Sequence, residues 1–153
     1  MAAHDGSHVA CLDAAAYFDQ FPISDEIGLY FCFIGRDGHT YCLSALAMGQ
    51  RQSTEVAVML MRLLCCFPHE GVRIDIATDN VRFVGSYDSV LSAVRMFTSR
   101  CSSVGVMLNE ISSDPSDGDL EALIVQQADF CGEVIDYSAK KGLGEAQNRR
   151  APR

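Results

Sequence analysis

Two aspartates stand where a chain of strands could use a carboxylate. Asp79 lies in Thr78-Asp79-Asn80, between the runs Val72-Arg73-Ile74-Asp75-Ile76-Ala77 and Val81-Arg82-Phe83-Val84-Gly85-Ser86. Alternating apolar residues on both sides of an Asp-Asn pair predict a β-hairpin, with Asn tolerating the left-handed backbone of a tight turn. A carboxylate at such a tip stands clear of the sheet, within reach of a ligand; Asp-Asn is equally ordinary turn chemistry. Asp13 closes the short apolar strand Val9-Ala10-Cys11-Leu12. That position suits a catalytic group in sheets flanked by helices, and it suits a helix N-cap as well. If the two strands are neighbours, both carboxylates meet at one sheet edge.

Other reactive residue types point elsewhere. The seven cysteines include no C-x-x-C spacing, and Cys32, Cys42, Cys65 and Cys66 sit in apolar runs. They read as reduced core thiols, which implies an intracellular setting, cytoplasmic or nuclear. Cys65-Cys66 with His69 nearby makes a poor nucleophile pair, since the cysteines fall in an apolar helix and His69 suits the helix C-terminal dipole. His4 and His8 are spaced for one helix face, but they lie in a polar lead-in, residues 1–8, that reads as a flexible terminus. The acidic loop 112–119 lacks the Glu that an EF-hand needs at its twelfth position, and reads as solvated loop.

Bulk properties narrow the classes further. With 153 residues, 48% hydrophobic and 21% charged, the chain can bury the core of one domain. There is no long uncharged apolar run for a membrane span, and the N-terminus does not resemble a signal peptide. A net charge of −8, with Lys140 and Lys141 the only lysines, argues against nucleic-acid binding by this piece alone.

The elements that must position these residues follow from periodicity. Ala14–Phe18 invites a helical turn, closed before Pro22. The run 27–34 is aromatic and β-branched and predicts a buried strand, returning through Gly35-Arg36-Asp37-Gly38 to a strand at 39–43. Ser53 or Thr54 caps a helix to about Cys66 that is apolar on nearly every side and therefore expected to be buried. Ser86 caps a second helix, about 87–103, with Val90, Leu91, Val94, Phe97 and Cys101 on one face. Strands are expected at 105–109, 120–125 and 130–137, and the polar basic residues 139–153 form a frayed tail. The expected fold class is α+β: a mostly antiparallel sheet with two helices on one face.

With the elements in place, the residues resemble the palm domain of reverse transcriptases, closest to retrotransposons of the DIRS-like and VIPER-like kind. Asp13, Phe18 and Pro22 match a motif of Asp, an aromatic and Pro at that spacing. Tyr41 to Ser53 matches a tyrosine strand, a Leu-Pro-x-Gly loop and a helix, with Ala47 in place of the proline. Ala77-Thr78-Asp79-Asn80 matches the x-x-Asp-Asp hairpin, Val106-Met107-Leu108-Asn109 a Val-x-Leu-Asn strand, and Phe130-Cys131-Gly132 a Phe-Leu-Gly hairpin. The resemblance covers about residues 9–137 and places a palm domain at 9–138.

This resemblance implies a ferredoxin-like polymerase palm and nucleotidyl transfer by two Mg²⁺ ions, with Mn²⁺ as a substitute. It implies that Asp13 and Asp79 are catalytic and ligate metal, with Asn80 beside them. Phe18 would lie under the sugar and exclude a 2′-hydroxyl, while Met48, Gly49 and Gln50 would line the nucleotide pocket. The implied partners are an RNA or DNA template-primer, dNTP, and the fingers, thumb or polyprotein segments of a longer chain; no membrane is implied. Two departures stand out. Asn80 replaces the second Asp of the hairpin, and the basic fingers and thumb have no counterpart in this sequence. A non-catalytic ferredoxin-like interaction or regulatory module is the competing expectation.

Overall fold

The computed structural model describes residues 7–137 and the backbone of a short strand at 149–150. The expectations for His4, for most of the lead-in and for most of the 139–153 tail lie outside the described residues. Strands β1 (His8–Asp13), β4 (Val72–Ala77) and β5 (Asn80–Gly85) form an antiparallel sheet in the order β1-β5-β4. Between β1 and β4 come two short strands, β2 (Cys32–Ile34) and β3 (Thr40–Cys42), paired only with each other.

Alternation sorts the main sheet into two faces. Ala10 and Leu12 of β1, Val81 and Phe83 of β5, and Val72, Ile74 and Ile76 of β4 point to one side. There they meet helices α2 (Arg51–Leu64) and α3 (Tyr87–Val104). The α3 stripe of Val90, Leu91, Val94, Phe97 and Cys101 is buried as its spacing requires, and the Phe97 ring lies 5.4 Å from that of Phe83. Ser86 accepts the Ser89 N–H at 3.3 Å to start α3, and Gly105, at φ +77°, ends it.

Helix α2 departs from its expectation. Only one stripe, Ser53, Ala57 and Met61, is buried, while Val56, Met59 and Leu63 face outward. A sheet covers a single face of a helix, so all-round apolarity did not dictate all-round burial. The helix begins before the expected caps, with Ser53 inside the buried stripe. Its C-terminal carbonyls are held by Arg100 of α3, whose Nη1 donates to Leu63 O at 3.1 Å and Cys66 O at 2.6 Å. His69 turns instead onto the Phe67 carbonyl.

The buried strand expected at 27–34 is also corrected. Ser24 accepts the Ile27 N–H and starts a helical turn, α1 (Asp25–Gly28), that continues as a 3₁₀ turn through Phe31. An acidic first turn behind a serine cap outweighed the β-branched composition that follows. The remaining hairpin β2–β3 is exposed throughout, and Cys32 and Cys42, directly paired across it, form a disulfide. They are not reduced core thiols, and Cys66 is exposed as well.

Residues 120–125 are not a strand. Ser116 and Asp119 form a reciprocal capping box that starts α4 (Asp117–Ala122), after which Val125 bridges to Val9. Strands β6 (Gln127–Phe130) and β7 (Glu133–Asp136) then pair through a turn at Cys131 and Gly132, both at positive φ, and β8 (Arg149–Arg150) adds to β7. Ala128, Ile135 and Tyr137 pack with Val9 and Val84 on the sheet face opposite α2 and α3. The architecture is α+β, with two helices on one face of a mostly antiparallel sheet. Among the described residues, no helix is long and apolar enough to cross a membrane.

Candidate active site

Asp13 is the last residue of β1 and pairs in register with Asn80, the first residue of β5. Thr78 and Asp79 link β4 to β5 in two residues, and the Ala14 N–H donates to the Asp79 carbonyl at 3.0 Å. The end of β1 is thus stitched to the hairpin tip, and both aspartates occupy one edge of the sheet. The turn chemistry differs from expectation: Thr78, not Asn80, adopts the left-handed backbone, at φ +55°. A β-branched residue there carries roughly 1–2 kcal/mol of strain. Asn80 stays in the strand, and its Nδ2 donates to Asp79 Oδ1 at 3.0 Å.

The Asp13 carboxylate is asymmetric. Its Oδ2 accepts Asn109 Nδ2 at 2.6 Å, whereas Oδ1 is shielded from solvent and has no hydrogen-bond partner among the described residues. Leaving a buried acceptor unsatisfied costs about 1–3 kcal/mol, so this oxygen is a place to look for a ligand. The neighbouring backbone is clamped. Asp13 N–H donates to Glu110 Oε2 at 2.9 Å, and Asn109 N–H donates to the Asp13 carbonyl at 2.9 Å. Gln20 fastens the loop after β1 to the same segment. Its Nε2 donates to the carbonyls of Ala15 and Met107, and its Oε1 accepts the Met107 N–H at 2.8 Å.

Glu110 and Gln20 play no part in the motifs the sequence offers. Asn109 was visible only as the end of a strand motif, and nothing local marks Glu110 or Gln20. Among the described residues, no group of three His, Cys, Asp or Glu side chains is arranged to hold a metal. The donors at this edge, two carboxylates of which one has an unpartnered buried oxygen, are of the chemical kind a hard divalent cation takes, since Mg²⁺ binds through one or two protein carboxylates and completes its shell with water and phosphate oxygens.

On the same sheet face, one pair further from the tip, Arg82 is held by Asp75 at 2.7 Å and lies 4.5 Å beneath the Phe130 ring. Three of the free thiols are silenced by burial. Burial pushes Cys65 and Cys101 up to about 12 and Cys11 to about 11, so these three are not thiolates near neutrality.

No family model and no curated protein matches the chain. Among solved structures, it is similar to a foamy viral protease-reverse transcriptase in complex with dsDNA, with a TM-score of 0.66 and 16% identity over 85% of this chain and 25% of that one. A second, the foamy viral protease-reverse transcriptase dRH in complex with dsDNA, superposes with a TM-score of 0.68 and 16% identity over 86% of this chain and 21% of that one. The chain has a reverse-transcriptase-like fold. It spans a quarter or less of the length of these neighbours.

Within this reverse-transcriptase-like fold the other expected site residues are dispersed. Phe18 lies in a 3₁₀ turn (Tyr17–Gln20) reached through Ala16, whose backbone is left-handed at φ 43°. Its ring is 8% exposed and belongs to the core. The adjacent Tyr17 hydroxyl donates to the Ala57 carbonyl at 3.1 Å, and burial pushes its acidity down, raising its pKa. Met48, 77% exposed, and Gly49, at φ +86° with open space where a Cβ would be, lie on the loop before α2, where Gln50 is the N-cap residue. That loop is tied to the region after β1 by the Leu46 N–H, which donates to the Phe21 carbonyl at 2.9 Å. The structure therefore pairs Asp13 with Asn80, ties the Asp79 carbonyl to Ala14, and leaves Met48, Gly49 and Gln50 on a neighbouring loop.

Proposed function

We propose that this chain is the palm segment of a retroelement reverse transcriptase, of the DIRS-like or VIPER-like kind. The observation that carries the reading is the meeting of Asp13 and Asp79 at one sheet edge, with Asp13 Oδ1 buried and without a hydrogen-bond partner among the described residues. Asp13 and Asp79 would hold the divalent cation, Mg²⁺ or Mn²⁺. When bound, such an ion polarises a phosphoryl oxygen and offsets the charge that develops on the attacking and leaving oxygens. Asn80, whose Nδ2 donates a hydrogen bond to Asp79 Oδ1 at 3.0 Å, would keep Asp79 in place and adds no charge. Met48, Gly49 and Gln50 would border the nucleotide. Template-primer and dNTP are the proposed partners, gripped largely by further segments of a longer polymerase. An acidic piece with a net charge of −8 supplies little phosphate neutralisation itself.

A Mn²⁺ titration by calorimetry on the wild-type chain, Asp13→Ala and Asp79→Ala tests the reading. Saturable binding that both substitutions abolish supports it, together with no dNTP incorporation on a primed RNA template by the chain alone. Wild-type binding that is absent, or indifferent to both substitutions, refutes the metal site. The competing reading, a non-catalytic ferredoxin-like interaction module, would then stand, favoured by the acidic balance and by Asn80 where a second carboxylate is expected.

A further inference from the structure

The segment Val106–Asn109 was singled out by its sequence and supplies neither of the two proposed metal ligands. Its last residue touches one of them. A carboxylate offers about four acceptor positions on two oxygens, and its terminal torsion is soft. At Asp13 a single donor, Asn109 Nδ2 at 2.6 Å, occupies Oδ2 and leaves Oδ1 unpartnered among the described residues. A donor on one oxygen alone selects the rotation of the carboxylate and so the direction of the other oxygen.

Asn109 has little freedom to follow Asp13 if the carboxylate turns. Its N–H is bonded to the Asp13 carbonyl at 2.9 Å, and Leu108 bridges to Ala14. One residue earlier, the Met107 carbonyl accepts the Ala15 N–H at 3.0 Å and a Gln20 amide hydrogen at 3.1 Å. One residue later, Glu110 accepts the Asp13 N–H at 2.9 Å. The backbone of Asp13 and of the two residues after it is therefore fixed to residues 107–109, and the Glu110 side chain holds the Asp13 N–H. The amide also carries no charge, so it orients the carboxylate without placing a competing cation beside it, as Lys or Arg would.

We propose that Asn109 is a positioning residue that holds Asp13 Oδ2 and presents Oδ1 to the divalent cation. This rests on the reading of Asp13 and Asp79 as metal ligands. Groups that orient a metal ligand typically change affinity 10- to 100-fold when removed.

The experiment is a calorimetric Mn²⁺ titration of the full chain as wild type, Asn109→Ala, Asn109→Leu and Asp13→Ala, with folding checked by circular dichroism. The Leu variant keeps the volume while removing the donor, so cavity effects separate from loss of the amide. Both Asn109 variants should bind about 10- to 100-fold more weakly, and Asp13→Ala should not bind. Wild-type binding with either folded Asn109 variant within twofold of it overturns the positioning role and leaves the metal reading intact. A wild type that does not bind overturns both. Should neither variant fold, Mg²⁺ titration of the wild type, followed by NMR at the Asn109 side-chain amide, decides. A saturable shift at the concentration that fills the site supports the proposal, and an unmoved resonance overturns it.

Discussion

Arg100→Met should loosen the joint between α2 and α3 measurably, although Arg100 sits at the surface. Its Nη1 lies 2.6 Å from the Cys66 carbonyl, 3.1 Å from Leu63 O and 3.5 Å from Leu64 O, and its guanidinium lies 5.6 Å over the Phe67 ring. Those carbonyls belong to the C-terminus of α2, where backbone acceptors lack helical partners and the dipole favours a cation. A hydrogen bond to a charged group contributes about 1.5–3 kcal/mol when well formed, which exposure reduces to about 1 kcal/mol here. The dipole and the aromatic contact each add about 0.5 kcal/mol at an exposed site. Methionine keeps much of the aliphatic stem, so the expected loss is about 1.5–2 kcal/mol, or a fall in Tm of about 3–8 °C for a domain of this size. Urea unfolding followed by circular dichroism should show a lower midpoint at unchanged slope. Arg95→Met is the control: Arg95 makes one exposed ion pair, 2.9 Å to Asp117, expected to contribute under about 1 kcal/mol. If Arg100→Met loses no more than Arg95→Met, the cap across the two helices is not stabilising and the reasoning fails.

Two further outcomes follow from the strained turn and the buried thiols. Thr78→Gly removes the left-handed strain at φ +55° and adds glycine's unfolded-state entropy, for a net gain of about 0.5–1 kcal/mol; a lower urea midpoint would contradict it. Cys65 and Cys101 are raised from 9.0 to about 12 by burial, so the folded state favours their neutral form. Their contribution is fully present below about pH 9 and is lost as pH rises toward 12, so the urea midpoint should fall across that window. Replacing both with Ala should flatten this slope, and an unchanged slope would assign the alkaline loss to other groups.

The parts of the fold legible in the sequence are those whose signal is local and periodic. The β4–β5 hairpin and the α3 stripe follow from alternation and from helical spacing behind a Ser86 cap, and both stand where expected. Residues 27–34 failed because β-branched composition does not distinguish a buried strand from an exposed turn once Ser24 starts a helix upstream. The exposed side of α2 was hidden for a related reason: the sequence pattern carries no record of which face the sheet covers. At the site, Asp13 and Asp79 were legible as strand-end carboxylates. Asn109, Glu110 and Gln20 were not, because their contacts join positions 96, 97 and 87 residues apart and leave no local pattern. The disulfide is illegible in the sequence because apolar neighbours suggest burial, whereas Cys32 and Cys42 face solvent on a hairpin.

The central place of β5 has a consequence for the order in which the molecule can form. β4 and β5 are adjacent in the chain and can pair as soon as their short turn closes. β1 must wait for β5, because the only edge of the main sheet it joins belongs to that strand. Closing so long a loop is slow compared with forming a hairpin. The two aspartates are therefore brought together in a late docking step rather than by local structure. During synthesis, Asp13 leaves the ribosome ahead of Asp79 and has no partner until the chain through Gly85 has followed. Any nascent piece ending before Asp79 carries half of the carboxylate pair and none of its geometry.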